Sequence, residues 1–312
     1  MAVWTVYLSL CLLVALNASV ETRPVESKHC GVCKEGWSAF GCRCFRFFSS
    51  HYTWAGAEKY CLYYNGNLAS VHSHEEYMFI QKLVRQATHA TTRAWIGGSD
   101  AAEEGVWLWS DGTKMIYQIW SPGNPSNYLG KEHCLEMNYG NGNWNDDNYL
   151  SQTMVVWTVY LSLCLLVALN ASVETRPVGG KECGACQAGW SAFGCRCFKF
   201  FNSHYTWAGA EKLCLANHGN LASVHSHEEY IFIKNLVRRT THATTRAWIG
   251  GSDAAEEGVW LWSDGTQMIY QIWSPGNPNN YLGKEHCLEM NYGNGNWNDD
   301  NCSVKKPFVC AY

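Results

Sequence analysis

The sequence predicts an α+β protein built from two disulfide-stapled copies of one domain. Three observations carry that expectation. Met154 to Asp300 repeats Met1 to Asp147 at a fixed offset of 153 residues, without gaps. A repeat this long means two domains, not a solenoid. The chain of 312 residues holds sixteen Cys, a density that points to disulfides and an oxidising compartment. Within each copy, short apolar strand candidates are interleaved with two helix-like segments.

Apolar residues make up 47% of the chain, enough for globular cores. The net charge is −4 and no basic run is present, which argues against a nucleic-acid partner. Val3 to Leu16 is an apolar run followed by the small residues Ala18 and Ser19. It reads as a signal peptide over residues 1–18, cleaved near Ala18, and implies a secreted, extracellular protein. The run is short for a membrane span, which needs about 20 residues.

The repeat copies this leader into the middle of the chain as Val155 to Leu169, preceded by Met154. Three readings compete: two neighbouring gene copies joined, an internal segment that is cleaved, or a segment that enters a membrane. The repeated initiator-like Met and the absence of a basic flank favour the first. The expected organisation is a signal peptide (1–18), a truncated first copy (19–149), a leader-like linker (150–178) and a complete second copy (179–312). After Asn148 the first copy runs Tyr149-Leu-Ser-Gln-Thr153, where the second has Cys302 to Tyr312. It therefore lacks two cysteines and a closing apolar segment.

In the complete copy, Cys183, Cys186, Cys195 and Cys197 surround Trp190 to Phe193. Such a set suits Zn²⁺ or two disulfides, and a secretory leader favours disulfides. Phe198 to Phe201 is a strand candidate. Thr206 caps a helix to Leu215 that carries Trp207, Ala210, Leu213 and Cys214 on one side. Ser226 and Glu229 form a capping box for a second helix. His225 and His227 at its start read as solvated turn residues, since no third metal ligand is adjacent. Ala247 to Gly251 and Val259 to Trp262 read as strands, with Trp248 and Trp260 as core. No His-Glu-x-x-His or Gly-x-Ser-x-Gly motif is present, so no hydrolase is indicated.

The last long stretch, Trp273 to Cys302, is rich in Gly and Asn. It gathers Asn277, Asn279, Glu285, Asn298 and Asp299, oxygen donors that suit a hard cation such as Ca²⁺. Cys287 and Cys302 can close its second half as a disulfide ring. Asn277-Pro278-Asn279, Glu285, Cys287 and Trp297-Asn298-Asp299, with Trp248-Ile249-Gly250 and the cysteines, resemble C-type lectin domains. The resemblance spans nearly all of each copy and is nearest to secreted fish lectins of the ladderlectin and nattectin type. It implies the C-type lectin fold: two helices, small antiparallel sheets and a long calcium and sugar loop. It also implies Cys186 bonded to Cys197 and Cys183 to Cys195, with Cys30, Cys42, Cys33 and Cys44 as first-copy counterparts, and Cys214 to Cys310.

By the same resemblance, Asn277, Asn279, Glu285, Asn298 and Asp299 bind Ca²⁺. Asn277, Asn279, Tyr281, Glu285 and Asn298 meet the sugar. Each donor both coordinates the ion and hydrogen-bonds a hydroxyl. Asn277 stands where the family has Glu or Gln, one methylene longer. Glu-Pro-Asn relatives favour mannose-type hydroxyls and Gln-Pro-Asp relatives galactose. Tyr281, at a stacking position, tilts the expectation to galactose. Asp253 and Glu257 echo an additional calcium position of some relatives. The first-copy set is Asn124, Ser126, Glu132, Asn145 and Asp146, degenerate at Ser126. The expected partners are glycans, microbial surface carbohydrates among them, as in innate immune recognition, with homo-oligomerisation left open. The rivals are ice binding of the type II antifreeze kind and calcium-independent recognition of protein or lipid.

Overall fold

In a computed structural model of the chain, residues 30–148, 153–160 and 183–312 are described. The predicted signal peptide and most of the internal leader-like segment lie outside them. The elements of the first copy are β1 (Ser38–Phe40), β2 (Arg43–Tyr52), α1 (Trp54–Tyr63), β3 (Asn67–Leu68), α2 (His74–Thr88), β4 (Ala94–Ser99), β5 (Leu108–Trp109), β6 (Cys134–Tyr139) and β7 (Asn143–Asp147). Then comes β8 (Thr153–Tyr160). The second copy follows with β9 (Ser191–Phe193), β10 (Arg196–Tyr205), α3 (Trp207–Ala216), β11 (Asn220–Leu221), α4 (His227–Thr241), β12 (Ala247–Ser252), β13 (Leu261–Trp262), β14 (Cys287–Tyr292), β15 (Asn296–Asp300) and β16 (Lys306–Ala311).

Each copy is an α+β unit around an eight-stranded sheet with one topology. The first runs β1-β2-β8-β4-β6-β7 and the second β9-β10-β16-β12-β14-β15. In the second copy β16 lies antiparallel to β10 and parallel to β12, so the chain end closes the sheet. In the first copy β8 takes that place, antiparallel to β2 and parallel to β4. The expectation that the first copy lacks its closing strand is thereby corrected. The start of the leader-like segment supplies it. Val155, Val156, Trp157, Thr158 and Val159 are β-branched or aromatic, and such residues suit a pleated, half-buried surface. What the first copy does lack is the two bonds: Cys61 and Cys134 are buried free thiols.

The helices follow local rules. Thr206 Oγ1 accepts from Gly209 N at 3.1 Å and starts α3, whose Trp207, Ala208, Ala210 and Cys214 are buried. Ser226 Oγ accepts from Glu229 N at 3.1 Å and starts α4. The Glu229 carboxylate, however, accepts from His225 N at 2.7 Å and from Arg196, so the cap is not a reciprocal box. The predicted strand Val259–Trp262 is ordered as β13 only over its last two residues. Trp248 and Trp297 are fully buried. Trp297 packs edge-to-face against Tyr230, Trp262, Tyr270 and Trp273, and so anchors β15.

The two copies belong to one compact unit and touch through equivalent surfaces. Thr53 Oγ1 donates to Glu256 Oε2 at 2.6 Å, and Thr206 Oγ1 to Glu103 Oε2 at 2.6 Å. Asn67 Nδ2 donates to Gly265 O, and Asn220 Nδ2 to Gly112 O, both at 3.0 Å. Such reciprocity is the mark of an isologous contact. A cavity of ≈ 90 Å³ lies there, lined by Trp54, Trp207, Glu58 and Glu211 among others. Burial pushes both glutamates up to about 7.

Candidate functional site

The second-copy donors come from two pieces of chain. Asn277, Asn279 and Glu285 lie on the loop between β13 and β14, and Asn298 and Asp299 on β15. Trp297 fixes β15 from below, and Ser274 N donates to Trp297 O at 2.8 Å, tying the loop to that strand. The Asn277–Pro278 and Asn124–Pro125 peptides are both cis.

Asp299 is fully buried and holds the loop to β15. Its carboxylate accepts from Asn279 N at 3.1 and 2.9 Å and from Asn280 N at 2.6 Å. Asn279 Nδ2 donates to Asn277 Oδ1 at 2.7 Å, so these two side chains meet across the proline. Glu285 Oε2 accepts from Tyr281 N at 3.0 Å. Asn298 Nδ2 points inward to Glu289 Oε1 at 2.9 Å, which leaves the carbonyl end of the amide for a ligand. Burial first, and then the negative charges of Asp299, Asp300 and Glu289, raise Glu285 above the usual carboxylate range. Tyr281 and Leu282 beside the site are 66% and 74% exposed, and Leu282 sits at φ 59°.

These donors are carboxylate and amide oxygens only, and the acidic groups repel one another. Both features fit a hard divalent ion with Asn277, Glu285, Asn298 and Asp299 among its ligands. Asn279, whose amide donates to Asn277, would have to turn to join them.

The first copy repeats the arrangement with one difference. Asp146 accepts from Ser126 N and Asn127 N, and Tyr128 N donates to Glu132 Oε2 at 2.8 Å. But Ser126 Oγ also donates to Glu132 Oε2, at 2.9 Å. The shorter side chain folds back onto the carboxylate that the second copy leaves with one partner. Asn145 Nδ2 is turned to Glu136 Oε1 at 3.0 Å, and Asn124 N bonds to Ser121 O at 3.0 Å.

A second group lies behind the loop, and sequence reasoning found only part of it. Asp253 and Glu257 are joined there by His286. His286 directly follows Glu285 in sequence, a cue that was available. The histidines at the start of α4 are elsewhere: His225 Nε2 lies 3.0 Å from Ser223 Oγ, and His227 Nδ1 3.1 Å from the Tyr270 hydroxyl.

The disulfides are Cys33–Cys44, Cys183–Cys195, Cys186–Cys197, Cys214–Cys310 and Cys287–Cys302. Cys30 and Cys42 are also disulfide-bonded. The last of the five closes the loop-bearing half of the second copy, between the first residue of β14 and the second residue after β15.

A family model described as Lectin C-type domain matches residues 50–156 and 203–312. The chain belongs to the C-type lectin family. Its first matched region runs into β8, in keeping with that strand's place in the sheet. The galactose-specific lectin nattectin of Thalassophryne nattereri is 39% identical over 155 residues, 50% of this chain and 94% of that protein. Ladderlectin of Oncorhynchus mykiss is 38% identical over 174 residues, 49% and 92% of the two chains. A type-2 ice-structuring protein of Osmerus mordax is 38% identical over 160 residues, 48% and 89%. The first two of these relatives are named as lectins and not as enzymes, which supports a non-enzyme reading at the level of the family. No helix among the chain's described residues is long and apolar enough to cross a membrane.

Proposed function

We propose that the protein is a secreted, calcium-dependent lectin whose second copy binds galactose-type sugars on glycans, microbial surface glycans included. The observation that carries this reading is that buried Asp299, next to buried Trp297 on β15, accepts from the backbone of Asn279 and Asn280, so the loop bearing Asn277, Asn279 and Glu285 is tied to the strand bearing Asn298 and Asp299. Bound calcium supplies a centre on which two sugar hydroxyls are read together. The chain's own part is to hold the donors, and to offer exposed Tyr281 to the apolar face of a sugar ring. The relative named for galactose specificity supports that sugar class over mannose. With two charged ligands the calcium affinity belongs to the extracellular range, about 10⁻⁴–10⁻³ M. The first copy contributes little, because Ser126 closes onto Glu132. The domain boundaries 19–149 and 179–312 are best revised so that the first unit ends with β8.

A glycan array on the full chain, with calcium and then with EDTA, tests the reading. Galactose-terminated spots that vanish in EDTA are expected. Binding retained in EDTA, or none in calcium, overturns it. A second reading, ice binding, draws on the 38% identity to the ice-structuring protein. Thermal hysteresis measured on the same sample tests it, and none is expected.

A further inference from the structure

We propose that Asp253, Glu257 and His286, and equally Asp100, Glu104 and His133, form a site for a transition metal of the zinc class rather than for calcium. Part of this cluster is where the sequence suggested an additional calcium position. The residues do not fit calcium well. That ion takes six to eight oxygen ligands, and one of the three donors here is an imidazole nitrogen. Imidazole with carboxylates suits zinc and its neighbours in the transition series.

The distances agree with that donor chemistry. Tetrahedral bonds of about 2.0–2.1 Å place neighbouring donors about 3.3 Å apart. His286 Nδ1 lies 3.2 Å from Asp253 Oδ1 and 3.4 Å from Glu257 Oε2. In the first copy the equivalent distances are 3.1 and 3.5 Å. In each copy the three ligand atoms all lie within 4.8 Å of one another.

The site is also built in advance. Asp253 is 2% exposed, and its Oδ2 accepts from Gly258 N at 2.8 Å, which turns Oδ1 toward the histidine. His286 O accepts from Asp253 N at 3.1 Å and from Ser252 Oγ at 2.8 Å, so the two ligands' backbones are clamped together. Asn280 Nδ2 hydrogen-bonds Glu257 Oε2 and its Oδ1 accepts from Glu285 N at 3.0 Å. Such outer partners orient metal ligands. The side chain of Glu257 is 57% exposed, which leaves solvent room for a fourth ligand. Without the metal, the same atoms make a histidine–aspartate ion pair, and the experiment must separate the two.

The full chain, stripped with chelator, is titrated with Co²⁺ and followed by visible absorption, a readout that involves neither sugar nor calcium. Strong bands of low-coordinate cobalt are expected, saturating at two ions per chain, displaced by Zn²⁺ and untouched by millimolar Ca²⁺. Glu104→Gln with Glu257→Gln, at half-exposed positions that leave the fold intact, should weaken binding at least tenfold. His133→Asp with His286→Asp should abolish the bands and restore competition by Ca²⁺. A spectrum that stays that of hexaaqua cobalt overturns the proposal. So do bands that survive unchanged in the glutamine variant, which would place the metal on other histidines.

Discussion

Trp157→Cys should create a disulfide with Cys61. The register of β8 makes the case. In the second copy Cys310 stands opposite Lys199 of β10 and Leu221 of β11, and is bonded to Cys214 with a Cα–Cα distance of 5.4 Å. In the first copy residue 157 stands opposite Arg46 of β2 and Leu68 of β3, the equivalent residues. Cys61 is the counterpart of Cys214, buried and free. Burial, and next the charge of Glu58, push its thiol well above the ordinary range, which keeps it protonated and inert in the native protein. Oxidation is therefore best done during refolding. The bond would close the same 96-residue separation as Cys214–Cys310. The chain-entropy model gives about 4.7 kcal/mol for a loop of that size, and measured values usually reach about 2–4 kcal/mol. For a unit of this size that is a Tm rise of about 5–15 °C. The assay compares oxidised and reduced Trp157→Cys in urea, so the loss of the Trp side chain cancels, and counts thiols in the denatured protein. Thr158→Cys is the control, because a neighbouring strand residue points to the other face. If Cys61 stays titratable in oxidised Trp157→Cys, or if Thr158→Cys bonds instead, the register argued for β8 is wrong.

Three further outcomes follow from the same geometry. Burial holds Glu136 up at about 7 against the opposing pull of Arg93. A carboxyl raised in the folded state contributes stability that is whole below about 4.5 and lost as pH rises toward 7. Thr153 shares its register with Lys306, whose Nζ lies 2.6 Å from Glu289 Oε2 in the second copy. Thr153→Lys should thus add about 1–3 kcal/mol at pH 8 and nothing at pH 4.5, as read from urea unfolding at the two pH values. Gly265→Ala should cost about 1–3 kcal/mol and loosen the contact between copies, since φ is 72° and a Cβ would meet Asp111 Cα at 2.8 Å. A single cooperative melt unchanged by that substitution would contradict the contact described. Asp299→Ala should abolish retention on a galactose column and cost about 1.5–3 kcal/mol through its lost backbone bonds, whereas Asp146→Ala should leave retention intact.

Much of this was legible in the sequence, because the signals are local or periodic. The helices show in their caps, Thr206 and Ser226, and in apolar spacing. The oxygen-donor loop shows in the spacing of Asn277, Glu285 and Trp297. Two features were not legible. The strand β8 carries the same letters as the leader at Val3 to Leu16, and apolar β-branched residues serve a signal core and a buried strand alike. Only the vacancy between β2 and β4 distinguishes them, and that is a tertiary fact. His286 was missed for a different reason. Its partners Asp253 and Glu257 lie some thirty residues upstream, and adjacency to Glu285 was the one local cue, since no spacing rule links an aspartate to a histidine beside the neighbouring strand.

The two copies then pose a question of divergence on a common frame. Their sheets, caps and mutual contact are equivalent, so the frame does not separate their chemistry. The loop does. In the second copy the amide of Asn279 is engaged by Asn277, and Glu285 Oε2 accepts one backbone bond. In the first, the hydroxyl of Ser126 competes with any cation for Glu132 Oε2. A hydroxyl so placed lowers the carboxylate's availability as a ligand without disturbing the hydrogen bonds from Ser126 N and Asn127 N to Asp146 that shape the loop. Loop geometry is thus kept by backbone-to-aspartate bonds, while ligand strength is set by the side chain at a single position. On the proposed reading, that separation explains how a copy can hold its fold, and its place against its neighbour, while its part in sugar binding fades.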